Sequence, residues 1–220
     1  MTREKPEAHG ARFEESSGSD VDLPVLLAHP DVVKLRSALE SRRAIRAKKE
    51  AGVRRAAVAL IIRAGTDGAP ELLFIKRAEY PADPWSGQVA FPGGREESAD
   101  PKLADTAIRE TREETGIDLV RDATVLGTLD DLRPQTVRLP AVIVRPYVVL
   151  LNRFEPLVLS DEVALAFWVP LAAFKSEPSW RDTDVLARGV QLNTRAFQHQ
   201  GHVLWGMTER ILAQLLALLD

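Results

Sequence analysis

Glu110, Glu113 and Glu114 lie close together in the stretch GQVAFPGGREESADPKLADTAIRETREETGI, residues 87–117. On a helix, at about 100° per residue, Glu110 and Glu114 stand one turn apart with Glu113 beside them. Like charges at this spacing repel. Glu114 also falls near the edge of an apolar stripe of Leu103, Ala104, Ala107, Ile108 and Thr111, where an unpaired carboxylate is costly. A divalent cation relieves both problems. Oxygen ligands on a rigid helix, with positions left open for phosphate, describe a Mg2+ site, with Mn2+ as a substitute. A plainer account pairs the acids with Arg109 and Arg112 on a solvated face. The residues ahead favour the metal. Phe91-Pro92-Gly93-Gly94 ends a short strand (88–91), and glycines there let the backbone approach a ligand and leave a carbonyl free to bind it.

The elements that must position these residues follow from periodicity. AAVALIIRA (56–64) is a continuous apolar run, typical of a strand buried on both faces. TDGAPE turns the chain, and ELLFIKR (71–77) pairs back as a hairpin. The acidic helix runs from about Lys102 to Thr115 and is closed by Gly116. Strands are expected at 123–132 and 141–151, separated by the loop RPQTVRLP. Another is expected at 163–171, running into a helical turn, with a weaker one at 184–192 and a terminal amphipathic helix at 206–219. Residues 1–28 read as a disordered or irregular arm. Residues 29–53 read as a helix with Val33, Leu35, Leu39 and Ile45 as its stripe. Residues 54–220 form the main domain. Strands mixed with helices predict an α/β (α+β) fold, a mixed sheet flanked by helices on both sides.

Composition sets outer bounds. A net charge of −3 argues against a global basic field for nucleic acid. Nine basic residues between Lys34 and Arg55 form a solvated face or a local phosphate-attracting patch. The absence of cysteine excludes disulfides and thiolate catalysis. No apolar run approaches the roughly 20 residues of a membrane span. The start has no apolar core like that of a signal peptide, so no membrane and a cytoplasmic location are expected. The histidines His9, His29, His199 and His202 show no ligand spacing, and Trp168 and Trp205 read as core.

Arg109-Glu110-Thr111-Arg112-Glu113-Glu114-Thr115-Gly116-Ile117, after a glycine and a loop, resembles the Nudix box. Thr111 stands at its usual aliphatic position. The loop from Gly94 to Arg109 is one residue longer than the common box, so the usual first glutamate has no clean counterpart; Asp100 is the nearest acid. That longer loop, GQVAFPGG, the Asp161-Glu162-Val163…Phe167-Trp168-Val169-Pro170-Leu171 segment and Leu204-Trp205-Gly206-Met207-Thr208 are similar to the coenzyme A pyrophosphatase branch. The likeness covers roughly residues 54–218. Tyr80 to Ser86 departs from it, standing where the branch often has a further Arg and a His.

The resemblance implies a Nudix α/β/α sandwich and hydrolysis of a nucleoside-diphosphate-linked substrate. Coenzyme A or acyl-coenzyme A leads. ADP-ribose, dinucleotides or nucleoside triphosphates are the alternative, and a non-catalytic Nudix-like nucleotide or nucleic-acid binding module is the third. It implies Glu110 and Glu114 as metal ligands, with Glu113 and the Gly94 carbonyl behind them. Glu110 and Glu113 also count among the catalytic residues. Glu162 is the candidate general base, against a plain surface acid. Arg109 orients the glutamates by a forked ion pair. Gly93 and Gly94 border the substrate. Arg77 binds phosphate, against a surface ion pair, and Trp85 stacks on a base or pantetheine-like arm, against a packing anchor. A small nucleotide is the expected partner, and a homodimer is the family's prior.

Overall fold

The computed structural model describes residues 23–48, 50–80, 85–134, 141–153, 156–176, 179–187 and 189–220. Strand β1 (Arg54–Ala64) is buried along most of its length. Its even residues Ala56, Leu60 and Ile62 enter one core, and its odd residues Ala59 and Ile61 enter another. This alternation is what a continuous apolar run gives when both sheet faces are covered. The Asp67 side chain accepts from the Ala69 amide at 2.9 Å, and Gly68 takes φ +79°, so the chain turns into β2 (Pro70–Arg77). Then come β3 (Val89–Ala90), β4 (Gly93–Arg95), β5 (Ala123–Thr128), β6 (Val142–Leu151) and β7 (Val163–Pro170).

Among the described residues the sheet order is β3-β2-β1-β6-β5, with β4 paired to β1 and β7 to β2. Among the described strands only β1 and β6 run parallel, so the sheet is mixed. Helices α3 (Leu103–Thr115) and α4 (Leu119–Asp122) cover the odd face of β1. Helices α1 (Leu23–Ala28), α2 (Pro30–Ser41) and α5 (Gly206–Leu216) cover the even face. The expected three-layer fold is present.

Three expectations need correction. The N-terminal arm was expected to be irregular through residue 28, but residues 23–28 form α1, with Leu26 fully buried; residues 1–22 lie outside the described residues. The helix expected over 29–53 stops at Ser41. Its buried stripe is Val32, Leu35 and Leu39, while Val33 and Ile45 are 51% and 70% exposed. Beyond Ser41 the chain is drawn out by distant acids. Arg42 and the Ile45 amide bind Asp130, and Arg46 and the Ala47 amide bind Asp131. The strand expected at 184–192 is instead the tip of a hairpin. Strands β8 (Trp180–Ala187) and β9 (Val190–His199) pair from Trp180↔Phe197 to Ala187↔Val190, with Gly189 at φ +76° in the turn. With β10 (His202–Leu204) they form a separate sheet that seats Phe197 and Leu204 in the core beside α5. Of the loop RPQTVRLP, residues 135–140 lie outside the described residues.

Thr111 is fully buried on α3, and its hydroxyl has no hydrogen-bond partner. A buried unpaired hydroxyl costs about 1–3 kcal/mol. Thr111→Val keeps the shape and removes the polar atom. It should raise stability by about 1 kcal/mol in urea unfolding. A loss of stability would mean that the hydroxyl has a partner in solution.

Candidate active site

The site is built where β1 and β6 begin and β2 ends. Strand β2 splays away from β1 beyond Leu72, and β4 takes its place with Ala57↔Gly94 and Val58↔Gly93. Phe91 and Pro92 are buried, and the Pro92 carbonyl accepts the Ala59 amide at 2.8 Å. Gly93 takes φ +146°. A Cβ there would lie 2.2 Å from the Ala57 carbonyl oxygen, so the position admits only glycine. At Gly94 a Cβ would fall 2.3 Å from the Glu110 carboxyl, which occupies that space.

Helix α3 presents the acids. The Lys102 amide donates to Asp105 at 2.8 Å at its start, and Gly116 closes it in the left-handed conformation at φ +77°. Leu103 and Ala107 pack on Ala57, which fixes the rotation of the helix. Glu114 is 3% exposed; its Oε2 accepts the Gly93 amide at 2.8 Å, and its Oε1 lies 3.7 Å from Arg77. Burial pushes its carboxyl up to about 8 against the pull of Gly93 and Arg77, and the charges of Glu110 and Glu162 push the same way. Glu110 is also raised, first by burial, and further by Glu113 and Glu162, with Arg109 opposing. Two carboxyls one turn apart thus resist ionising together in the absence of a cation.

Arg109 is the hub beside them. It makes forked hydrogen bonds to Asp100 at 3.1 Å, and contacts Glu110, Glu113 and the Arg95 carbonyl, each at 3.1 Å. Asp100 also accepts from Thr106 and from the Glu97 amide, each at 2.9 Å. The Arg109 hydrogen bonds hold its carboxyl at a pKa of about 2. The fork expected to join Arg109 to the glutamates is made with Asp100 instead, and Glu110 and Glu113 both meet its Nη1. Asp100 was noted only as the nearest acid; its place six residues after Gly94 was the available signal.

Glu162 is exposed just before β7, and its charge reaches both Glu110 and Glu114. Its carbonyl accepts the Ala78 amide at 2.8 Å, and the register Arg77↔Val163 sets it beside Arg77. The structure thus gathers Arg77, Gly93, Gly94, Arg109, Glu110, Glu113, Glu114 and Glu162. Trp85 stands slightly apart under the Arg95 guanidinium, 5.6 Å from ring centroid to Cζ. Residues 81–84 lie outside the described residues.

The donors are all hard oxygens, as a divalent cation requires. Among the described residues no three acidic or histidine side chains converge closely enough to enclose an ion. Glu113 turns to Arg109, so the fit rests on Glu110, Glu114 and the adjacent backbone.

Two of the histidines are used elsewhere. His29 caps α2, accepting from the Asp31 amide at 3.3 Å, and His202 stacks on Phe167 at 4.1 Å; His9 is outside the described residues. Trp168, expected in the core, is half-buried: it packs against the core on the odd face of β1 and carries Arg63 on its ring at 4.0 Å. Trp205 is half-buried at the start of α5.

The NUDIX domain family profile matches residues 53–188. The chain is 37% identical over 131 residues to the uncharacterized Nudix hydrolase NudL of Photorhabdus laumondii, covering 59% of this chain and 67% of that protein. It is 32% identical over 163 residues to the NudL of Yersinia pestis, covering 74% and 78%. Among solved structures, a MutT/nudix family protein from Enterococcus faecalis superposes with a TM-score of 0.51 at 15% identity, over 84% of this chain and 68% of that one. At that identity the likeness speaks for the fold alone.

Proposed function

Because the chain belongs to the NUDIX domain family, whose profile spans more than half of it, we propose that it hydrolyses the pyrophosphate bond of a nucleoside-diphosphate-linked substrate with the aid of Mg2+ or Mn2+. The observation that carries this reading is the pair Glu110 and Glu114. Their carboxyls lie against a turn whose glycines leave no room for a side chain, and both are held above their ordinary pKa by burial and like charge. Such a pair gains from a cation what it lacks without one.

Glu110 and Glu114 would hold the cation with the Gly94 carbonyl, and Glu113 would join them only on leaving Arg109. A divalent cation bound there supplies charge neutralisation for the diphosphate and eases deprotonation of an attacking water. Arg77, at the end of β2, holds a phosphate oxygen of the substrate. Arg109, locked by Asp100, keeps Glu110 and Glu113 in place. Glu162 takes the proton as the water oxygen bonds to phosphorus and the bridging P–O bond breaks, leaving two phosphate ends. Trp85 offers a ring face beside Arg95 for a base or a pantetheine-like arm.

The leading substrate is coenzyme A or acyl-coenzyme A, giving 3′,5′-ADP and (acyl-)4′-phosphopantetheine. The segments around GQVAFPGG, Glu162 and Trp205 support it. A cytoplasmic site of action and a homodimer belong to the same proposal; no described helix is long and apolar enough to cross a membrane. A nucleic-acid binding role is disfavoured, because Arg42, Arg46 and Arg55 of the basic segment pair with Asp130, Asp131 and Glu96.

The test is a panel of coenzyme A, ADP-ribose, NADH and deoxynucleoside triphosphates with Mg2+, read by product mass. Release of 3′,5′-ADP is expected. Turnover of another member without it would remove the coenzyme A assignment, and no turnover of any would remove the hydrolase.

A further inference from the structure

Helix α5 lies beyond residue 188, where the family match ends. It nevertheless binds three backbone groups of the catalytic half. The Thr208 hydroxyl donates to the Val89 carbonyl at 2.9 Å in a buried bond. The Gln214 side chain accepts the Asp130 amide at 2.9 Å, and Arg210 donates to the Arg133 carbonyl at 2.6 Å.

The first bond completes an edge strand. Among the described residues β3 pairs with β2 alone, and β7 lies along the other side of β2. The Arg77 amide donates to the Gln88 carbonyl at 3.0 Å, and Lys76 and Val89 face each other one position on. In an antiparallel ladder the groups of successive residues point to opposite sides, so the Val89 carbonyl points away from β2. There it would be buried and unpaired, at the cost of a lost hydrogen bond, were it not for Thr208. Strand β3 has two residues. It holds Arg77 on one side and leads within three residues to Gly93, which binds Glu114.

The other two bonds reach the segment between β5 and β6. The registers Ala56↔Val144 and Ala56↔Arg95 set the start of β6 across β1 from β4, and the Leu129 amide bonds the Pro146 carbonyl. This segment therefore lies at the same end of the sheet as the acids.

We infer that α5 is a brace for the active site, with Thr208 as a positioning residue that holds Arg77 and the glycine turn against α3, and Gln214 as its second anchor. Thr208 touches no reacting atom; it acts through Val89 on Arg77 and Gly93. Only the kinetic consequence rests on the hydrolase reading.

Thr208→Val keeps the shape and removes the donor. Amide hydrogen exchange at Arg77 and Gly93 should speed up by about tenfold, while amides in the middle of β6 stay protected. In the active enzyme kcat/KM should fall by about tenfold, through a raised KM. Thr208→Ser should restore both. Unchanged exchange, faster exchange with wild-type kcat/KM, or failure of serine to rescue overturns the brace. If the wild-type protein hydrolyses no pyrophosphate, the function fails and the exchange at Arg77 and Gly93 alone decides the brace. Should T208V not fold, Gln214→Ala repeats the test at the other anchor. Faster exchange at Asp130 with a raised KM supports the brace, and a wild-type KM overturns it.

Discussion

Glu114→Gln should lose about a thousandfold or more in Mg2+-dependent turnover, and yet make the metal-free protein more stable at pH 8. The two effects share one cause. Glu114 is 3% exposed, and burial raises its carboxyl to about 8 from 4.5, with Glu110 and Glu162 adding repulsion. A carboxyl whose pKa is higher folded than unfolded binds its proton more tightly in the native state. Its stabilising share is full below pH 4.5 and is lost as pH rises toward 8. The metal-free wild type should therefore weaken across that window, whereas the glutamine variant stays neutral and can still accept the Gly93 amide. A gain of about 2 kcal/mol at pH 8 is expected from the substitution in chelator, measured by urea unfolding. Added Mg2+ should raise the wild-type Tm and leave the variant nearly unmoved. If turnover survives, Glu114 leaves the metal site. If the variant is less stable at pH 8 in chelator, the carboxyl ionises in the fold at less cost than its burial implies.

What the sequence disclosed was local. Helix α3 could be placed because its apolar period, its acids and Gly116 lie within a few turns of each other, and β1 because an unbroken apolar run has few other uses. The convergence of Gly93 with Glu114 was legible as a glycine turn ahead of an acidic helix. The failures have one physical origin: partners far apart in the chain. Residues 42–47 carry good helix formers, but Asp130 and Asp131 straighten them, and nothing within the segment announces those acids. Asp100 lies in a loop with no periodicity, so its grip on Arg109 appears only once the loop folds back. Trp168 packs on the core as its apolar neighbours suggest, but nothing near it in the chain announces that its ring also carries Arg63. Thr208 reads as an ordinary first-turn residue until the Val89 carbonyl is seen to turn away from β2 toward it.

Adjacent glycines should fail in opposite ways when each is replaced by alanine. At Gly93 the new Cβ would meet the Ala57 carbonyl oxygen at 2.2 Å and the Val58 Cα at 2.6 Å, in a residue at φ +146°. Both obstacles are backbone of the central strand, which cannot move without breaking the Ala57↔Gly94 pairing. Gly93→Ala should therefore lose about 3 kcal/mol or more of stability, whether or not metal is present. At Gly94 the obstacle is the far end of one side chain, the Glu110 carboxyl at 2.3–2.5 Å. That carboxyl can swing aside by rotating about its own bonds, so Gly94→Ala should keep its Tm within a few degrees. The displaced carboxyl is one of the two expected to bind the cation, however. Mg2+ affinity measured by calorimetry should then fall by about tenfold to a hundredfold, and turnover with it. The contrast separates scaffold from chemistry one residue apart. If G94A keeps full Mg2+ affinity, Glu110 does not bind the ion from the place it holds against Gly94. If G93A melts like the wild type, the glycine turn does not lie against β1 as described.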